Sequence, residues 1–357
     1  MTPLSIGIAG AGLLGRLLAF RLSRAGHRVD VFDCAAGPLP TFDGRQAAGL
    51  TAAGMLSPLA ELDCSPPEVA ELGWRSIALW RETVGALAGA PAFAQRGSLL
   101  LAHRSDLGSA QRVLARLTRA APDTPQPRPL APSELTELEP ALHGAPHAWL
   151  LPHEGHIDPV ATLAALHAEA GGARWHWGAQ VTEVQPGTLV IGEGPARRFD
   201  VAFDVRGVGA RPAMPVRGVR GELVWLQSTG HGLTRPVRLL HPRHRVYLVP
   251  RSPDLVLVGA SEIESEDCSP VSLRSAVELM SAAHSVMPGL AEARILRLDA
   301  NLRPALPDNA PRVEVVPGRV SINGLFRHGW LLAPALVEDA LARAGLEARA
   351  ARAVVPA

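Results

Sequence analysis

A chain of 357 residues has room for two domains or one large α/β domain, and 47% apolar against 19% charged residues excludes disorder throughout. The 35 basic and 34 acidic residues leave a net charge of +1, which gives no electrostatic basis for a nucleic-acid or anionic-membrane partner. All 35 basic residues are arginine, so a P-loop lysine, a lysine Schiff base with pyridoxal phosphate and a lysine general base are excluded.

Taken in chain order, the apolar run at residues 6–9 predicts a buried parallel strand. Leu14, Leu17, Leu18 and Leu22 give residues 13–25 helical spacing, and Gly26 supplies a stop. Residues 29–32 alternate as a second strand ending at Asp33, completing a βαβ unit. The first fifteen residues lack a basic leader, are broken by glycines and are too short to span a bilayer, so neither a secretory signal nor a membrane span is expected. Residues 104–133 read as an exposed arginine-rich helix followed by a proline-rich connection. Residues 222–226, 245–249 and 255–258 read as strands, the last two joined into a hairpin at Ser252-Pro253-Asp254. Residues 273–287 read as a helix whose buried stripe is Leu273, Ala276, Val277, Met280, Ala283, His284 and Met287. Hairpins following an opening βαβ unit predict an α/β chain, a Rossmann-like nucleotide domain joined to an antiparallel sheet that carries a substrate pocket.

The sequence Gly10-Ala11-Gly12-Leu13-Leu14-Gly15 is a G-x-G-x-x-G set between a strand and a helix. Gly10 permits the tight turn, Gly12 lets backbone approach a pyrophosphate, and Gly15 lets helix and strand pack closely. First-turn amides and the helix dipole then face the phosphates. Asp33 is placed to accept from ribose hydroxyls and to repel a 2′-phosphate. The fingerprint alone does not separate FAD from NAD.

Small residues at 47–58, Ala-Ala-Gly-Leu-Thr-Ala-Ala-Gly-Met-Leu-Ser-Pro, suit a backbone passing close to a broad flat ring. Read alone, they slightly favour a small-residue helix packed in a core. This segment is similar to the one after the second strand in FAD-dependent amine oxidases of the D-amino acid oxidase superfamily, most of all the glycine oxidase branch associated with thiamine biosynthesis. The stretches 149–159, 180–184, 245–251 with 257–260, 302–309 and 324–334 resemble further family segments, in the family's order. The resemblance implies a glutathione-reductase-like FAD domain from residues 1–85, 145–215 and 298–357, and a substrate domain from 86–144 and 216–297. Residues 204–210 depart from the usual pattern. So do Leu325, His328 and Trp330, which put glycine itself in doubt as the substrate.

For the site, the resemblance implies Arg303 as principal carboxylate clamp, Arg327 beside the flavin and pocket, and Tyr247, the single tyrosine, as a donor to the carboxylate. A planar guanidinium fork suits that task. The cofactor would be held by Gly10, Gly12, Leu13, Leu14, Gly15, Asp33, Ala53, Gly54, Met55, Val181, Gly207, Gly209, Arg327, His328, Gly329, Trp330 and Leu331. A helix beginning near Pro334, burying Leu336, Ala340, Leu341 and Ala344, would aim its positive end at reduced flavin. The chemistry implied is oxidative deamination of glycine, sarcosine or a small D-amino acid by hydride transfer to flavin N5, with no side-chain base. Dioxygen would be the acceptor, giving hydrogen peroxide. Some sarcosine-oxidising relatives use a lysine to activate oxygen and a cysteine to attach FAD. The absence of lysine and the cysteine positions imply non-covalent FAD. A dehydrogenase with another acceptor and a non-catalytic flavin-binding subunit are the alternatives.

Cys34, Cys64 and Cys268 lie far apart and read as reduced thiols of a cytoplasmic protein, with Cys34 a small packing residue. His153-x-x-His156 and His241-x-x-His244 lack a third ligand, so no metal site is expected. Glu262, Glu264, Glu266 and Asp267 read as a solvated acidic loop. Oligomeric state is left open, a homo-oligomer included.

Overall fold

The computed structural model describes residues 2–43, 46–143, 147–240 and 245–346, residue 245 by its backbone alone. The His241–His244 pair and the side chain of Arg245 lie outside these residues. A six-stranded sheet runs in the order Arg312–Val316, Arg319–Asn323, Val201–Asp204, Ser5–Ala9, Arg28–Asp33, Ala173–Trp177. All neighbours are parallel except Arg312–Val316, which returns antiparallel to Arg319–Asn323. Its inner strands are covered on both faces, and Ile6, Ile8, Val29 and Val31 are all buried. Helix Leu13–Arg24 packs against helices Pro159–Glu169 and Gly329–Arg343, and Gly329–Arg343 packs against Pro67–Gly85.

An eight-stranded sheet runs in the order Arg294–Ala305, Arg217–Gln227, Leu255–Gly259, Arg245–Ser252, Val237–Leu240, Ser98–Ala102, His147–Leu151, Arg128–Leu130. The expected antiparallel sheet is in fact mixed, because Val237–Leu240 runs parallel to Ser98–Ala102. The expected hairpin closes with Ser252 opposite Leu255. Strand His147–Leu151 pairs within this sheet, and Arg294–Ala305 straddles position 298. Residues 47–58 form no long helix; they give a short 3-10 turn at Ala48–Leu50, strand Met55–Leu56 and the start of helix Pro58–Glu61.

Two helices differ from expectation. Helix Leu273–Val286 exists, but Leu273 is 81% exposed and Val277 50% exposed, while Ser275, Ala276, Leu279, Ala282, Ala283 and Val286 are buried. Of the expected stripe, Ala276, Ala283 and Met287 are buried and Met280 is partly buried against the same cluster, whereas Leu273, Val277 and His284 are exposed, a small rotation of the 3.6-residue stripe. The C-terminal helix begins at Gly329 and not near Pro334, which lies inside it. An interior proline leaves the carbonyl four residues back without a donor. That carbonyl, Trp330 O, accepts from Trp80 Nε1 at 2.7 Å, and the Ala335 amide donates to Ser76 Oγ at 3.2 Å. Helix Pro67–Gly85 thus repairs the break. Leu336, Ala340 and Leu341 are buried as expected.

Candidate active site

The turn after the first strand is shaped by contact. Gly10 has φ +105, and a Cβ on Gly15 would lie 1.8 Å from Gly10 O. No side chain caps helix Leu13–Arg24, and its first turn holds no acid. Gly12, Leu13 and Leu14 there line a cavity of about 1020 Å³. Asp33, also on its wall, accepts from the amides of Ala11 at 2.6 Å and Ala35 at 2.8 Å. Arg16, which sequence reasoning passed over, is buried and donates to the carbonyls of Ala11, Leu163 and Pro38. Burial pulls its guanidinium down to about 10 against the attraction of Asp33.

A second helix opens onto the same cavity. Gly329–Arg343 likewise has no side-chain cap and no acid in its first turn, and Gly329, Trp330 and Leu331 line the wall. Leu325 and His328 also line it, so the three single-residue departures from the family pattern, Leu325, His328 and Trp330, all face the cavity. Ala53, Gly54 and Met55 line the same cavity, as do Gly207 and Gly209. Arg251 reaches across from the eight-stranded sheet to donate to the carbonyls of Ile157, Ala52 and Ala53. Burial draws it down to about 10. Two uncapped helix N-termini around a cavity of this size fit a long anionic dinucleotide such as FAD.

Gly15 and Val181 do not line the cavity. Gly15 acts through packing. Val181 is buried with Phe32 and Ala202, and its carbonyl accepts from Arg206 Nη1 at 2.8 Å. Arg206 is on the wall, held by Asp204.

The cavity's polar end gathers Tyr247, Arg303 and Arg327. Arg303 donates to backbone carbonyls alone, Ser261 O at 3.1 Å and Arg220 O at 3.4 Å. Burial lowers its pKa, offset in part by Tyr247 and Glu262. It remains charged, as a guanidinium does in proteins. Gly221 leaves space for it: a Cβ there would meet the guanidinium at 2.3 Å, and one on Gly259 would meet the Tyr247 ring at 2.7 Å. Burial raises the Tyr247 phenol against the nearby arginines, so it stays protonated, a donor.

Arg327 is already engaged. Its Nη2 donates to Glu61 Oε2 at 2.7 Å and Cys64 Sγ at 2.9 Å, and Nη1 lies 3.3 Å from Glu262. Glu61 Oε1 accepts from Arg238 at 2.6 Å. Burial would raise the Glu61 carboxyl, but Arg238, Arg327 and His328 outweigh it and hold it far below the usual range. His328, buried and pushed down to about 4, is a neutral imidazole whose Nε2 lies 3.2 Å from Ser65 Oγ. Glu61 and Arg238 were missed by sequence reasoning; the only signal was an acid in the apolar run just past the small-residue segment.

One smaller expectation is corrected. Cys34 is exposed at the cavity wall and does not pack, because the strand ends there. The acidic loop is exposed, as expected, and its acids also pair with arginines: Glu264 with Arg217, Glu266 with Arg211 and Glu262 with Arg327. Glu262 also lines the cavity. Among the described residues no group of three His, Cys, Asp or Glu side chains could hold a metal ion, and no helix is long and apolar enough to cross a membrane.

Comparison with known proteins shows the family and the fold. The sequence profile of the DAO family, FAD dependent oxidoreductase, matches residues 5–342. A Rhizobium etli protein provisionally named thiamine biosynthesis oxidoreductase ThiO is 38% identical over 339 residues, 94% of this chain and 95% of that one. Glycine oxidase of Bacillus licheniformis is 29% identical over 362 residues, covering 93% and 90%. The crystal structure of glycine oxidase from Geobacillus kaustophilus superposes with a TM-score of 0.80 at 23% identity, covering 96% and 95%, a likeness of fold.

Proposed function

The chain belongs to the DAO family of FAD-dependent oxidoreductases, and from that premise we propose that it oxidatively deaminates a small amino acid or amine. Glycine, sarcosine and small D-amino acids are the candidates, with dioxygen as acceptor. The observation that carries the reading is Arg303, charged, at the cavity wall and hydrogen-bonded only to backbone carbonyls. A carboxylate arriving there gains a charge-assisted pair without displacing an acid. The protonated Tyr247 adds a second donor.

The FAD would lie with its phosphates at the Gly12 helix terminus and its ring system near residues 53–55 and 327–331. When bound, FAD supplies the two-electron acceptor for a C–H bond next to nitrogen, and dioxygen restores it with release of hydrogen peroxide. The chain's own part is to fix the carboxylate, exclude water with Leu325 and Trp330, and keep Arg327 rigid through Glu61. Glu61 is ionised but held by two arginines, and His328 is a weak base, so proton removal falls to solvent before the amine is oxidised. Loss of one proton from the ammonium form and then one hydride leaves an iminium ion, which water hydrolyses to glyoxylate or a keto acid and ammonium, or methylammonium from sarcosine. We infer thiamine biosynthesis, the process named for the Rhizobium etli relative, as the physiological setting.

The test is anaerobic addition of glycine, sarcosine and small D-amino acids to FAD-loaded protein. Bleaching of the visible flavin band by one of them, with colour and peroxide returning in air, is expected. Bleaching without return in air would replace the oxidase with a dehydrogenase, and no bleaching by any of them would overturn the substrate class.

A further inference from the structure

Among the described residues, five arginines line the cavity: Arg206, Arg238, Arg274, Arg303 and Arg327. Four already face an acid, Arg206 with Asp204, Arg238 and Arg327 with Glu61, and Arg274 with Glu278. Arg303 alone makes its hydrogen bonds to carbonyl oxygens only. At the polar end, three cations (Arg238, Arg303, Arg327) face two carboxylates (Glu61, Glu262), which leaves one positive charge. A single substrate carboxylate neutralises it.

A second carboxylate on the substrate finds no such partner. Glu61 occupies both of its arginines. Glu262, by contrast, is 46% exposed, meets Arg327 only at 3.3 Å, and is close enough to Arg303 to act on it electrostatically. Its place is fixed despite that exposure. Ser261 Oγ donates to Glu222 at 2.9 Å on one side, and Ile263 forms a two-way backbone bridge to Arg220 on the other. A fixed carboxylate beside the anchoring cation repels further negative charge and attracts positive charge.

We propose that Glu262 sets the charge class of the substrate, restricting the site to monocarboxylates with a neutral or cationic substituent and turning dicarboxylates away. The proposal rests on the reading of Arg303 as carboxylate anchor. Repulsion between carboxylates a few ångströms apart in a half-hydrated site corresponds to about a tenfold penalty or more, and it weakens with salt.

The test uses FAD-loaded protein and its Glu262→Gln and Glu262→Asp variants. Propionate and succinate are titrated against the flavin absorption of the oxidised protein, and kcat/KM is compared for sarcosine and N-carboxymethylglycine. The wild type is expected to prefer the monocarboxylate of each pair. Glu262→Gln lowers that preference about tenfold or more, Glu262→Asp largely keeps it, and added salt narrows the difference. A preference that survives unchanged in Glu262→Gln, or a wild type that binds succinate as tightly as propionate, overturns the proposal. If propionate does not bind at all, the Arg303 anchor falls as well; if it binds but selectivity is indifferent to residue 262, only the role of Glu262 falls.

Discussion

Replacing Gly221 with alanine displaces the arginine anchor while leaving the arginine in the sequence. Gly221 lies in strand Arg217–Gln227 opposite Asn301, and a Cβ added there would lie 2.3 Å from Arg303 Cζ and Nη2 and 2.6 Å from Nη1. Carbon and nitrogen in contact settle near ~3.5 Å, so the guanidinium must retreat by about 1 Å. The fold tolerates this, since the group that moves is the end of a flexible side chain. Alanine also restricts the unfolded chain, which is worth about 0.4–1 kcal/mol in favour of folding. A bound carboxylate does not tolerate it. Bidentate recognition needs both N–H groups aligned, and a hydrogen bond to a charged partner contributes about 1.5–3 kcal/mol. Losing one of two therefore weakens carboxylate binding about ten- to a hundredfold. Titration of FAD-loaded protein with glycolate, read by flavin absorption, measures the affinity, and a thermal melt measures the fold. A Tm within about 3 °C of wild type, together with the weaker Kd, is expected. An alanine variant that binds glycolate as tightly as wild type would refute the assignment of Arg303.

Glu154 is buried, bonded to Ser98 Oγ and the Ala60 amide, and raised by burial from 4.5 to about 7. The folded state thus holds its proton more tightly than the unfolded state, so stability falls as pH rises from roughly 4.5 to 7, by about 3 kcal/mol in all. Glu154→Gln should flatten that part of the urea-stability profile; an unchanged profile would show that the carboxyl titrates normally. Glu61→Gln leaves Arg238 and Arg327 without their shared carboxylate, and a loss of about 3–5 kcal/mol in denaturant melts is expected; a change below about 1 kcal/mol would mean the pair behaves as a surface one. FAD is expected to leave with the supernatant on acid precipitation, and colour retained in the pellet after washing would demonstrate a covalent link. For the amino acid substrate, kcat/KM should rise with pH as the amine deprotonates, and a flat profile would contradict amine deprotonation ahead of oxidation.

Local rules made the first half of the cavity legible. Gly10 sits between a strand and a helix with a positive φ, Gly15 in the helix's first turn close against Gly10 O, and Asp33 ends the next strand. Arg303 and Tyr247 were reached through resemblance, and the structure brings them to one cavity wall with Arg327. What stayed hidden depends on residues far apart in sequence. Glu61 is defined by Arg238 and Arg327, neither of which is near it in the chain. Glu262 looked like one acid among four, and its position opposite Arg327 separates it from the rest. The start of the final helix was misjudged because Pro334 favours a first turn on its own, whereas the missing amide is compensated by a different helix.

That compensation has a consequence for how the chain can change. Trp80 and Pro334 are linked: the indole donates to the carbonyl that the proline leaves without its helical donor. Restoring the amide with Pro334→Ala would give Trp330 O a second donor and make the indole less needed there, so the effects of Trp80 and Pro334 substitutions should not add. Ser76 is linked to them through Ala335. A helix that does not itself line the cavity therefore sets the pitch of the backbone presenting Gly329, Trp330 and Leu331 to it. Drift in residues 76–80 would be felt first where Gly329, Trp330 and Leu331 line the cavity, before any residue on its wall had changed.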